Sequence, residues 1–103
     1  MPFKLRFSKQ ASEMLDQLEG DPSQEAKLRK VRRALGLLEQ NPRHPGLHSH
    51  HYESFPADRD VKVWDSYVEN RTPSAWRIFW QYGPNEPGAS LPVITVLHIG
   101  PHP

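Results

Sequence analysis

Residues 75–82, AWRIFWQY, constrain the fold more than any other stretch of the chain. Trp76, Ile78, Trp80 and Tyr82 fall on one side of an extended backbone, and Arg77, Phe79 and Gln81 fall on the other, which is the period of a β-strand. The first set makes a core face to be covered by helices. Arg77 then sits on the opposite face of the sheet.

The segments on either side supply the helices and the neighbouring strands. Phe3, Leu5 and Phe7 alternate with Lys4 and Arg6 as in a half-buried strand. Ser8 reads as the N-cap of a helix on which Ala11, Met14, Leu15 and Leu18 recur at helical spacing, with Gly20 as its stop. In Asp21-Pro22-Ser23-Gln24, Asp21 can cap, Pro22 suits the first helical position, and Gln24 can complete a capping box. A second, longer helix buries Leu28, Val31, Leu35 and Leu38 and ends at Asn41-Pro42, because the residue before a proline resists the helical region. From 42 to 60, prolines, histidines and weak periodicity predict a long loop or a ragged edge strand. Strands are expected over roughly 61–69, 75–82 and 92–99, separated by the turn-rich segments 70–74 and 83–90. The expected class is therefore α+β: an N-terminal strand, a helical hairpin and a three-stranded antiparallel meander, in one domain over residues 1–103.

Composition narrows the function. A chain of 103 residues, 36% of them hydrophobic, can build one modest core. No apolar run approaches a membrane span, and MPFKLRFS lacks the apolar stretch of a signal peptide, so a cytoplasmic protein without a membrane partner is expected. The absence of cysteine excludes thiol chemistry and cysteine metal sites. A formal net charge of only +1 does not by itself indicate a nucleic-acid partner, so charge distribution has to carry that argument. Lys27, Arg29, Lys30, Arg32 and Arg33 crowd one stretch of the second helix, either as a solvated face or as a contact to a phosphate backbone.

Three groups of residues can carry chemistry. Arg77 can grip a phosphate with its planar guanidinium, or can pair with Asp65 or Glu69 on the neighbouring strand. His98 and His102 close the last strand and titrate near neutral pH. A base, an acid and a cation are what attack of a 2′-hydroxyl on its adjacent phosphate requires, and histidine and arginine supply all three. His44, His48, His50 and His51 raise the question of a metal, but no ligand spacing supports one, and a solvent-exposed or phosphate-contacting loop is expected instead.

The layout of strand, helical hairpin and antiparallel sheet, with an arginine in an aromatic strand and a histidine after the last strand, resembles the RelE/ParE toxin superfamily of bacterial type II toxin-antitoxin systems. FKLRFSKQASEMLDQL resembles the opening strand and helix, KLRKVRRALGLLEQNPRHPGLHSHHY the second helix and its approach to the sheet, AWRIFWQYG the arginine-bearing strand, and ITVLHIGPHP the last strand. The resemblance implies a metal-independent endoribonuclease that cleaves mRNA at the ribosome and is held in check by an antitoxin protein. A second branch of the same superfamily implies instead a non-enzymatic inhibitor of DNA gyrase, and a third possibility is a binding member without toxicity. Carried over residue by residue, the resemblance implies that Arg77 and His102 are catalytic and that Lys62 and Arg71 hold phosphates, with no cofactor; His98 is the alternative to His102 as acid or base, and His48, His50 and His51 are outer candidates for substrate binding. Gly100-Pro101 before His102 is one residue longer than the usual pattern, and the 47–59 loop is also longer.

Overall fold

A computed structural model describes residues 2–53 and 61–102. Their order is β1 (Lys4–Phe7), α1 (Lys9–Glu19), α2 (Glu25–Gln40), β2 (His50–His51), β3 (Trp64–Tyr67), β4 (Trp76–Tyr82) and β5 (Val93–Pro101), with short 3-10 turns at Pro22–Gln24 and Pro45–Leu47. The α+β class is as the sequence implies. The sheet is larger than the expected three-stranded meander: it has five strands in the order β1-β5-β4-β3-β2. The antiparallel run β3-β4-β5 lies inside it, β1 adds to β5 in parallel, and β2 is a two-residue edge strand. Parallel addition of β1 is possible because α1 and α2 carry the chain back across one face of the sheet.

The helices form where the apolar stripes predict. Val31 and Leu38 are fully buried, and with Ala11, Leu18, Leu28 and Leu35 they pack on Ile78, Trp80, Ile94, Val96 and Ile99 of the sheet. Burying a side chain of this size stabilises the fold by about 1.5–3 kcal/mol, so the two helices are held mainly by this face. Trp80 stacks on Trp64 with ring centroids 5.9 Å apart, and its indole N–H donates to Ser66 Oγ at 2.8 Å. Tyr82, expected on the same core face, is 41% exposed because it ends the strand, although its ring still meets Phe3.

The helix caps depart from expectation in two places. Ser8 caps α1 as predicted, accepting from Ala11 N–H at 3.1 Å. Gly20 follows α1 in a right-handed conformation (φ −83°), so it closes the helix without the left-handed turn that glycine usually supplies. Asp21 accepts from Ser23 N–H and caps the Pro22–Gln24 turn, while Gln24 makes no side-chain cap bond to α2. The capping box is absent because the intervening 3-10 turn separates the cap from the helix it was expected to serve.

In the segment read as a loop, Leu47 is fully buried, and His50 pairs with Asp65 and His51 with Trp64 to make the edge strand. Residues 54–60 of that predicted loop lie outside the described residues. The strand expected over 61–69 is regular only at Trp64–Tyr67.

One irregularity decides which residues share a face with Arg77. Phe79 pairs with His98 and Trp80 pairs with Val96, so Leu97 is an extra residue in β5, a β-bulge. Ile94 and Val96 face the helices, and beyond the bulge it is Ile99 that does so. The inserted residue therefore turns His98, Gly100 and His102 to the opposite face, where a regular strand would have driven His98 into the core. The start of α1 is fastened to β5 around this point: Ser8 Oγ donates to Leu97 O at 2.6 Å, and Gln10 Oε1 accepts from Ile99 N–H at 3.2 Å. Among the described residues no helix is long and apolar enough to cross a membrane.

Candidate functional site

Asp65 is the centre of the sheet face opposite the helices. Strand β3 places it beside His50 on one side and Phe79 on the other, and it is fully buried. Three nitrogen atoms approach one of its oxygens, Oδ2: Arg77 Nη1 at 3.4 Å, His50 Nε2 at 3.4 Å and His102 Nε2 at 3.5 Å. These separations are long for charge-assisted hydrogen bonds, which run at about 2.7–2.9 Å. The interactions are therefore chiefly Coulombic. The other oxygen, Oδ1, is buried without a hydrogen-bond partner, and so is Nε of Arg77.

Aromatic rings fix the cluster from beneath and from the sides. The Arg77 guanidinium lies 3.8 Å from the centre of the Tyr67 ring, within cation–π range. His48 packs on the same ring at 4.9 Å, held in a left-handed backbone conformation (φ 48°) that residues other than glycine seldom adopt. Tyr52 meets both Phe79 at 5.0 Å and His102 at 5.6 Å. Phe79 is 1% exposed, so this face is a second, smaller packed layer rather than a bare sheet.

The two imidazoles meet Asp65 with different second partners. His50 Nδ1 lies 2.9 Å from the carbonyl oxygen of His48, while its Nε2 faces Asp65. His102 turns Nε2 to the same carboxylate oxygen, and its ring packs edge-on against Tyr52. One carboxylate therefore draws together two imidazoles and an arginine.

The remaining predicted residues lie outside this convergence. His98 shares the face and packs against Phe79 at 5.8 Å, and burial pushes its pKa below the ordinary value, which favours the neutral ring. A Cβ on Gly100 would stand 3.0 Å from His98 Nε2, so glycine is what leaves room between His98 and His102. His51 turns the other way, packing against Trp64 and lying 3.7 Å from Glu53. Lys62 and Arg71 are exposed, and neither forms an ion pair among the described residues. Glu69, the other partner considered for Arg77, is taken by Lys27 at 2.6 Å, Lys30 at 3.1 Å and the Trp76 N–H at 3.2 Å. Burial raises the pKa of Glu69, but these three donors and the charge of Lys27 outweigh it and hold the carboxyl below its ordinary range.

Asp65 and Tyr67 belong to the site and were not singled out from the sequence, where Asp65 figured only as an ion-pair partner. The available signal was a carboxylate in phase with Tyr67 inside VWDSY, on the face that the neighbouring strand gives to Arg77 and Phe79. Among the described residues no group of three or more histidine, aspartate or glutamate side chains is disposed to hold a metal ion. No protein-family model, curated protein or solved structure matches the chain.

Proposed function

We propose that the Asp65 face binds and cleaves single-stranded RNA, and that the chain is a RelE/ParE-like endoribonuclease toxin acting on mRNA at the ribosome under the control of an antitoxin. The observation that carries this reading is the convergence of Arg77, His50 and His102 on the single buried oxygen Asp65 Oδ2. In the reaction, His102 takes the proton from a ribose 2′-hydroxyl, and O2′ attacks the adjacent phosphorus. As the P–O5′ bond breaks, His50 donates a proton to O5′, giving a 2′,3′-cyclic phosphate and a free 5′-hydroxyl. Arg77 faces the non-bridging oxygens, where charge accumulates in the transition state. Asp65 touches no reacting atom. It orients both imidazoles.

Relative to the expected set, His50 moves from substrate contact to general acid, and His98 gives up a direct catalytic part to a packing one. The test is primer extension on translated mRNA with wild type, Arg77→Ala, His50→Ala and His102→Ala. Loss of a preorganised charge at the transition state costs on the order of a hundredfold in rate, so Arg77→Ala should fall by at least that factor. Equal cleavage by all four proteins would overturn the assignment.

A further inference from the structure

A polar groove of about 380 Å³ runs between the second half of α2 and the end of β3, lined among others by Lys30, Arg33, Tyr67, Asn70 and Thr72. Four of the five basic residues of α2 are already engaged: Lys27 and Lys30 with Glu69, Arg29 with Glu25 and Arg32 with Glu19. Arg33 has no ion-pair partner among the described residues, and it is the one that opens onto the groove beside Lys30. Across from it, Arg71 is set between the lining residues Asn70 and Thr72 in a left-handed conformation (φ 63°), also without an ion pair among the described residues. The groove's carboxylate, Glu69, is neutralised by two lysines. The lining is therefore cationic and rich in donors.

The groove and the Asp65 cluster have Tyr67 in common. Tyr67 lines the groove and also supports the Arg77 guanidinium. Resting on the reading of Arg77 as the scissile-phosphate contact, we infer that this groove is a further phosphate subsite for the RNA strand, with Arg33 contacting the phosphate. A charge on the backbone holds a strand in place without reading its sequence.

Fluorescence anisotropy with a 2′-O-methyl RNA hexanucleotide, which binds but lacks the attacking hydroxyl, tests the inference. Arg33→Gln should weaken binding by about three- to tenfold and reduce the slope of log K against log salt by about 0.7, the effect of one phosphate contact on a single strand. Arg29→Gln removes the same charge from an exposed pair on the same helix and should stay within about twofold of wild type. Arg77→Gln should also weaken binding. If Arg33→Gln binds like wild type while Arg77→Gln is weakened, the subsite is refuted and the cleavage site stands. If Arg29→Gln falls as far as Arg33→Gln, the effect is one of general charge and the groove is refuted. If only Arg33→Gln is weakened, the groove is not an extension of the Arg77 site, and if no variant differs or the wild type does not bind, both readings fail.

Discussion

Replacing Asp65 by asparagine should destabilise the protein far more than a surface substitution, and the excess should vanish when Arg77 is replaced as well. At the observed 3.4 Å, and with an effective dielectric constant of about 20, the attraction between Asp65 and Arg77 is about 5 kcal/mol before desolvation. Removing both ions from water costs several kcal/mol each, so the intact pair adds little net stability. Breaking it is another matter. The Arg77 side chain is only 14% exposed and its Nε already lacks a partner, so loss of the carboxylate strands a buried cation. The usual penalty is about 3–5 kcal/mol, and the Tyr67 ring beneath the guanidinium places the expected value at the lower end, about 3 kcal/mol. Arg77→Gln strands Asp65 in the same way and should cost a similar amount. The double variant Asp65→Asn/Arg77→Gln contains neither stranded charge and should cost no more than about 1 kcal/mol, so that most of the two single costs, about 5 kcal/mol, appears as coupling. Urea denaturation of the four proteins measures it directly. Single costs below about 1 kcal/mol, or additivity within about 0.5 kcal/mol, would refute the argument that this face is held by a buried ion pair.

Ser66→Ala should cost about 1–3 kcal/mol in thermal or chemical denaturation, because Ser66 Oγ accepts from the buried Trp80 indole N–H and also bonds Ser49 at 2.7 Å; a change within about 0.5 kcal/mol would mean that the indole finds another acceptor. His98 should titrate below the ordinary 6.5 in an NMR pH series, since burial disfavours its charged form. The unfolded chain then takes up the proton first, so the stability linked to His98 is present above pH 6.5 and is lost as pH falls below that value, and His98→Asn should flatten the curve there. A midpoint at or above 6.5 would contradict the burial argument.

What could be read from the sequence was whatever repeats over a few residues. The apolar stripe of α2 and the alternation of β4 each bury one face, so the pattern of Leu28, Val31, Leu35 and Leu38, or of Trp76, Ile78 and Trp80, reports its own environment. Parallel pairing of Lys4–Phe7 with β5 joins residues about ninety positions apart, and no local pattern encodes it. The bulge was closer to legible: in VITVLHI the apolar phase changes where Val96 and Leu97 stand side by side, and that change is what moves His98 and His102 to the Arg77 face. Asp65 was hidden for a different reason. A carboxylate in a strand reads as solvent-facing or paired, and its complete burial arises only when His50, Arg77 and His102 arrive from three other segments.

The distribution of these four residues over the sheet has a mechanical consequence. Asp65 and Arg77 lie on β3 and β4, each paired on both sides, whereas His50 comes from a strand of two residues at the edge and His102 follows the last residue of β5. The edge segment is fastened by the Tyr52 N–H to Val63 O bond at 2.9 Å, and His102 by its own N–H to Ala75 O at 2.9 Å. Short peripheral segments with few backbone bonds open at a lower free energy than the centre of a sheet. Asp65 and Arg77 thus sit on the part of the sheet that opens last, and the two histidines on the part that opens first. On the proposed function, a phosphodiester entering this face would compete with Asp65 for Arg77 against a single contact of 3.4 Å, which is long, rather than against a closed bidentate pair.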